Sequence, residues 1–541
     1  MKYATRGVGL GLFTAALLST TSALAQVAPS DLPVRDFEDH VSRPIKPVGA
    51  VSVTAPNRSA SRPAAPGAAF VLSGVDIQGN ATIPSEAMMP LWSHLVGKQA
   101  GLDDLNGVAA MIEREYADKG LFLTRALVLG DVHDGIASIR VVEGFISSVS
   151  IEGDKTITPQ IARAIEARLK NIRSAPATRA QVDHYVLVAQ EIPGLTAAVG
   201  LVADPEVVGG AKLVVKATMK KFDGSVQVDN RGARYAGPTA ATANAGVNSL
   251  LFGGDRLDVS LFSTLPTKEQ KHFRLSYSAP VNSHGTEFRI FYSRANSRPG
   301  AAFEKLDIDS TTDRAGFLMS HPAIRSTKGS LSFSGGLTTA DSKTDVLDFS
   351  LDPVRVRAMQ LSVDGAYRDA WGTSYASLTW RQGLSGFGAT DSFWVVQGDY
   401  ARIQPIHGPV DLLVQGNFQI TRDELPGLEQ MSIGGLTIGR GTDPGAISAE
   451  SGLAGRLELR STYHEVPLDG FQSLMIQPYT FIDAGVGHHH DGGSESLVTG
   501  GFGVRFDESS RYALSFEVAK AVAGSFGSED ARVYARAAMK F

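Results

Sequence analysis

The chain reads as two small α+β modules followed by a transmembrane antiparallel β-barrel of about sixteen strands. Three observations predict it. Between Phe222 and Phe541, 320 residues, apolar and polar side chains alternate with period two. The N-terminus has the build of an export signal. The final strand ends on an aromatic residue, Phe541. Alternation alone also fits a soluble sandwich, which hides its apolar face. A sustained run on an exported chain favours the barrel, whose apolar face meets lipid and whose lumen is polar.

Lys2 and Arg6 form a positive n-region, Gly7 to Leu18 is uncharged and mostly apolar, and Ala23-Leu24-Ala25 is a small-x-small cleavage site. Residues 1–25 are therefore expected to be a signal peptide, too short to span a bilayer as a helix. The chain has no cysteine, so burial and backbone pairing must hold it together without disulfides. A formal charge of −5 argues against nucleic acid as a partner. The 57 glycines and the lack of like-charge blocks suit a large β structure. Residues 26–69 hold Pro29, Pro33, Pro44, Pro47, Pro56, Pro63 and Pro66 and read as an extended linker. A short helix over Ser30 to Val41, a possible plug, would have a thin apolar face.

Residues 70–144 form the first module. Val71, Val75 and Ile77 lead into the Gly79-Asn80 turn. Leu105, Val108, Ala109, Ile112 and Tyr116 fall at helical spacing, with Gly120 as the stop. Thr124–Leu129 and Ala137–Val142 then flank an Asp134-Gly135 turn. Residues 145–221 repeat the order: a strand from Ile146, a helix opened by Pro159, a second helix through Val182, Tyr185 and Ala189 stopped at Pro193-Gly194, and two closing strands. Neither module pairs a nucleophile with a base. Their sheet edges can accept an extended partner as an added strand, and a spacer role fits the spacing equally well.

In residues 222–541 the alternation is cleanest at the end, where Val533, Ala535, Ala537 and Met539 oppose Arg532, Tyr534, Arg536 and Lys540. A strand needs about 9–11 residues to cross, so this length yields roughly sixteen strands, an even number. Met431 to Ser451 breaks the pattern. Its Gly434-Gly435 and Gly439-Arg440-Gly441 suit neither strand nor helix, and one arginine stands among small residues. Such a loop packs closely against something and holds one cation in place. His488-His489-His490-Asp491 falls in an extracellular loop after strand 13, and consecutive residues rarely converge on one ion, so no metal site is expected. Trp371, Trp380 and Trp394 lie in strand-like segments and fit either an interfacial girdle or ordinary barrel packing. The sequence has no G-x-S-x-G, no H-E-x-x-H and no nucleotide motif, so neither catalysis nor a cofactor is expected.

Several segments, in this order and spacing, resemble one family. They are Tyr116-Ala117-Asp118-Lys119-Gly120 with Thr124-Arg125, Ile139-Arg140-Val141-Val142-Glu143-Gly144, Glu191-Ile192-Pro193-Gly194, Asp229-Asn230-Arg231-Gly232, and Ser320 to Ser326. From about residue 70 to 541 the chain is similar to the two-partner secretion transporters (TpsB), the ShlB/FhaC/HecB-like haemolysin secretion/activation proteins, within the superfamily that includes BamA. The resemblance implies two periplasmic POTRA domains, residues 70–144 and 145–221, below a barrel in the Gram-negative outer membrane. It also implies a non-enzymatic channel that secretes, and so activates, a large β-helical exoprotein (TpsA-like) bound through the POTRA domains and lumen. Outer-membrane lipid and the barrel-assembly machinery, reading Phe541, would be further partners. A BamA-like assembly factor is the alternative, against which the two modules weigh. In the family a loop between strands 11 and 12 folds into the lumen with a V-R-G-Y/F tip, matched here by Gly439, Arg440, Gly441 and Thr442. A second motif, F-x-D-x-G, is matched by Phe481, Asp483 and Gly485, which share one strand face. The family arrangement implies an Arg440–Asp483 ion pair pinning the loop to the barrel wall. Gly439 replaces the valine and Thr442 the aromatic, which leaves the packing of the loop tip open.

Overall fold

A computed structural model describes residues 52–53 and 69–541, apart from 173–174, 266–268, 348, 387, 390–391, 436, 467–473, 509–510 and 528–529. The expected signal peptide and nearly all of the proline-rich linker, with its possible helix, lie outside the described residues. Ser52–Val53 forms a short strand, β1.

The first module runs β2 (Phe70–Val71), β3 (Gly74–Gln78), α1 (Ser85–Met88), β4 (Gln99–Ala100), α2 (Leu102–Asp118), β5 (Arg125–His133) and β6 (Ile136–Val142). One stripe of α2, Leu105, Val108, Ala109, Ile112 and Tyr116, is buried, which is why that spacing makes a helix here. Asp104 caps its start by accepting from the Gly101 amide at 2.8 Å. Gly120, at φ +84°, ends it. The stripe packs on a sheet of order β3-β6-β5 through Ile77, Ile139 and Val141. The second module runs β7 (Phe145–Gly153), α3 (Pro159–Leu169), α4 (Arg179–Gln190), β8 (Leu195–Ala203) and β9 (Gly210–Met219). Thr158 and Thr178 cap its helices. Its sheet has the order β1-β8-β9-β7, with Ser52 and Val53 laid parallel to Gly200 and Leu201.

The barrel opens with β10 (Phe222–Asp229), β11 (Thr239–Asn248), β12 (Arg256–Leu265), β13 (Gln270–Pro280) and β14 (Glu287–Ser297). It continues with β15 (Asp309–Arg325), β16 (Gly329–Val346), β17 (Phe349–Ser350), β18 (Val354–Arg368), β19 (Thr373–Gly383), β20 (Trp394–His407) and β21 (Val410–Ile420). The hairpin β22 (Met431–Ile433) and β23 (Ile447–Ala449) follows, then β24 (Ser451–Ser461), β25 (His464–Val466), β26 (Leu474–His488), β27 (Ser494–Glu508), β28 (Tyr512–Gly524) and β29 (Arg532–Lys540). β17 and β25 are short extensions of their neighbours' hairpins, and β22–β23 is a separate sheet. The other sixteen strands close into one antiparallel barrel, β29 pairing with β10. The alternation sorts its two faces. Leu361, Phe502 and Val533 are exposed outside, whereas Arg456, Asp483 and Tyr534 are buried within.

The second module abuts the barrel's turns. The Arg325 amide, at the end of β15, donates to His184 Nδ1 on α4 at 3.2 Å, and the Arg325 side chain meets Glu191. Asn248, at the end of β11, donates to the Lys220 carbonyl at 2.9 Å. One residue lies where the pattern does not put it. Trp371 is in the β18–β19 turn, because Asp369 Oδ1 accepts from both the Trp371 and Gly372 amides at 2.8 Å. Asn230, Arg231 and Gly232 follow the end of β10 and belong to the β10–β11 connection.

Candidate functional site

Counting the sixteen strands in order, β21 is the eleventh and β24 the twelfth. The chain between them turns back into the lumen. Both roots of this excursion hang on Gln419 of β21, whose amide donates to the carbonyls of Glu429 at 3.0 Å and Glu450 at 2.9 Å. Glu429 then takes Arg381 of β19 in a two-pronged ion pair, at 2.7 and 2.9 Å. Beyond these roots the β22–β23 hairpin pairs Met431 with Ala449 and Ile433 with Ile447. Its apolar side chains pack with Ile438 against Ala454 and Leu497 of the wall.

The tip is a turn in which the Thr442 amide and hydroxyl both donate to the Gly439 carbonyl, at 3.0 and 2.8 Å. Gly439 sits at φ +87°, a conformation that favours glycine over the family's valine. Thr442 is fully buried and serves the turn through its hydroxyl. Gly441 touches the wall: a Cβ there would lie 2.4 Å from the Lys520 carbonyl carbon and 2.5 Å from the Ala521 nitrogen. Gly485 answers it from β26, where a Cβ would lie 2.7 Å from Ile433 Cγ2. Small residues stand where loop and wall backbones approach most closely.

Arg440 projects from this tip into a dry network; it is 2% exposed and Asp483 is 0% exposed. Its Nε donates to Asp483 Oδ2 and its Nη2 to Oδ1, both at 3.1 Å. Asp483 Oδ2 also accepts the amides of Gly439 at 3.0 Å and Arg440 at 3.3 Å. The third guanidinium nitrogen, Nη1, reaches Glu517 Oε2 of β28 at 2.9 Å and Glu458 Oε2 of β24 at 3.2 Å. Phe481 lies under the guanidinium. Further cations balance the three carboxylates. Arg456 Nε is 3.4 Å from Asp483 Oδ1, Arg505 donates to Glu458 Oε1 at 2.8 Å, and Arg231 lies 3.2 Å from Glu517 Oε1. The Tyr479 hydroxyl donates to Glu517 Oε2 at 2.8 Å. Burying charge is costly unless it is paired and hydrogen-bonded, and here each carboxylate meets at least two cations.

The structure thus gathers Gly439, Arg440, Gly441, Thr442, Phe481, Asp483 and Gly485 in one place. Phe541 lies apart from them. It prolongs β29 and exchanges backbone hydrogen bonds with Gly224 of β10, at 2.9 and 3.0 Å. His488 and His489, next to the β26–β27 turn, face Ser494 at 2.8 Å and Glu495 at 3.4 Å. Sequence reasoning missed Arg456, Glu458, Glu517 and Arg231. Arg456, Glu458 and Arg460 do recur at period two along β24, the mark of a charged lumen face. That signal does not say which of them meets the loop.

Comparison with known proteins accords with this architecture. Residues 209–506, more than half of the chain, match the family described as haemolysin secretion/activation protein ShlB/FhaC/HecB. Residues 70–144 match the POTRA domain, ShlB-type. The chain is 23% identical over 491 residues to the heme/hemopexin transporter protein HuxB of Haemophilus influenzae, covering 85% of each. Its fold is similar to that of CdiB from Escherichia coli, with a TM-score of 0.73 at 19% identity over 99% of this chain and all of that one. BamA from Haemophilus ducreyi lacking its first three POTRA domains is less similar, with a TM-score of 0.51 over 87% of this chain. A ShlB-type POTRA domain, a sixteen-stranded barrel and a family match across most of that barrel all agree: this chain belongs to the ShlB/FhaC/HecB family of haemolysin secretion/activation proteins.

Proposed function

We propose that this outer-membrane two-partner secretion transporter captures one large, unfolded β-helical exoprotein through its periplasmic POTRA modules and passes it through the barrel lumen. Strand addition at a module edge is the capture mode, since an exposed edge offers unpaired N–H and C=O groups to an extended segment. Folding of the exoprotein outside the cell gives the movement its direction. The observation that carries the reading is the in-folded loop, seated by Arg440 on Asp483, Glu458 and Glu517 inside a barrel of family architecture. A plain pore has no need of a buried ion network that holds a loop in its lumen. Deleting the gene tests the reading. Loss of a single exoprotein from the medium supports it, and a general loss of outer-membrane barrels would favour an assembly factor in its place.

A further inference from the structure

The barrel's outer face is apolar at mid-height, where Phe317 of β15, Leu337 of β16 and Leu361 of β18 stand exposed. Gly285, in the β13–β14 turn, faces Val188 of α4, so the start of β13 lies at the far, extracellular end. There the same outward rows turn polar, with Lys271 on β13, Arg294 and Asn296 on β14, and Thr311 and Asp313 on β15. Across the barrel, the outward positions at that end of β26 and β27 are the uncharged Ala484, Val486, Ser496 and Val498. A charge facing lipid is costly at the bilayer midplane and tolerated at headgroup level, so Lys271 and Arg294 mark the level of the outer headgroups.

A hollow of about 650 Å³ opens on this face, and Lys271 and Arg294 stand on its edge. Val226, Ala243, Leu261, Phe273 and Arg294 are successive register partners on β10 to β14. Ala243 offers only a methyl group between the taller Val226 and Leu261, so β11 forms the floor of a trough. Arg294 is held in place by Asp313, whose oxygens accept its Nε at 2.7 Å and its Nη2 at 2.8 Å. The Tyr292 hydroxyl donates to the same carboxylate at 2.6 Å, an aromatic at the interface level. Arg294 Nη1 and the Lys271 ammonium have no protein partner among the described residues. We propose that this hollow binds a phosphorylated glycolipid of the outer leaflet, the lipid A part of lipopolysaccharide. An acyl chain lies along the Ala243 trough and a phosphate sits on Lys271 and Arg294 Nη1. The trough is continuous with the lipid-facing belt and its cations stand at the extracellular end, which is the arrangement an anionic lipid of that leaflet requires. This site goes beyond the transport reading and holds whatever the lumen carries.

Titrating the full-length protein in detergent micelles with lipid A, and counting the complexes by native mass spectrometry, tests the site. The wild type is expected to hold lipid A, and the double variant Lys271→Gln, Arg294→Gln to bind it about tenfold more weakly. Ala243→Leu fills the trough and leaves both cations, so it should weaken binding too, and it serves if the double variant fails to fold. Lys328→Gln removes a cation from the periplasmic β15–β16 turn and should bind as the wild type does. Phosphatidylglycerol and inorganic pyrophosphate at equal concentration should leave lipid A in place, because each supplies only part of what the hollow recognises. Wild-type affinity in both the double variant and Ala243→Leu overturns the site. Displacement by phosphatidylglycerol would make it a general anionic-lipid surface, and displacement by pyrophosphate a bare phosphate site; either result overturns the lipid A assignment.

Discussion

The guanidinium carbon of Arg440 lies 3.2 Å from the centre of the Phe481 ring, so a loop residue rests on the face of a wall residue. Asp483, two residues further along the same strand face, closes the side of the same receptacle. Tyr479, two residues earlier, repeats the device with Arg505, at 3.9 Å. The odd-numbered face of β26 thus offers two aromatic floors, to Arg440 and Arg505, and one carboxylate, to Arg440 and Arg456. With Thr442 at the tip, the aromatic surface for Arg440 comes from the wall.

Arg440→Ala is expected to abolish secretion while the barrel still inserts. The substitution leaves Asp483, Glu458 and Glu517 buried with one fewer cation, and breaking a buried pair in this way costs about 3–5 kcal/mol. The cost falls on the seating of the loop, because the sixteen-strand ladder has its own backbone bonds. Asp483→Ala should behave alike, since it strands Arg440 and frees the two tip amides. Arg440→Lys should not rescue, as an ammonium cannot reach three carboxylates with a planar fork. Exoprotein in the medium and heat-modifiable gel mobility of the barrel are the two readouts. Normal secretion by either alanine variant would sink the pinning role.

Phe481→Leu separates the ring from the carboxylate. Leucine keeps an apolar side chain but loses the quadrupole, and a desolvated cation–π contact is worth about 2 kcal/mol. Secretion is expected to fall while remaining above that of Arg440→Ala. Equal loss in the two variants would mean that Phe481 acts through packing of the wall and not through the arginine.

Gly441→Ala tests seating without touching any charge. Its Cβ would meet the Lys520–Ala521 backbone at 2.4–2.5 Å, and rigid backbone cannot yield as a flexible side chain can. Overpacking of this kind costs about 1–3 kcal/mol, here by pushing the tip off the wall and stretching the Arg440 contacts. The expected phenotype is that of Arg440→Ala in weaker form. Full secretion by this variant would show that the tip does not need its close approach to β28.

How much of this was legible follows from the range of the interactions. Lumen and outer faces are local facts: Val533 and Tyr534 are neighbours on one strand, and period two assigns them opposite sides before any partner is known. The helix opening at Pro159 and the stop at Gly120 are equally local. Arg440 and Asp483, by contrast, are 43 residues apart, and only family motifs pointed from one to the other. Glu458 and Glu517 escaped, because their choice as partners depends on barrel curvature and on the path of the loop. Trp371 was misplaced because Asp369 draws the chain into a turn that the apolar pattern does not record.

His184 is expected to make the junction between the second α+β module and the barrel pH-sensitive. Its Nδ1 accepts the Arg325 amide, which requires the neutral ring. Burial first, and then the charge of Arg325, hold the imidazole below the ordinary value of about 6.5, with His321 and His284 acting in the same direction and Glu191 against them. The sign follows from linkage. A detached His184 binds a proton near its ordinary value and a docked one resists it, so the undocked state holds more protons in mild acid. The docking contribution is therefore complete above the ordinary value and is lost as pH falls below it. Amide exchange in α4 is expected to quicken between about pH 7 and pH 5 once intrinsic rates are corrected, with the core of the first module as the internal standard. His184→Asn removes the titrating ring and should flatten the profile. If the variant keeps the wild-type pH slope, His184 is not the group that sets the pH response of the junction.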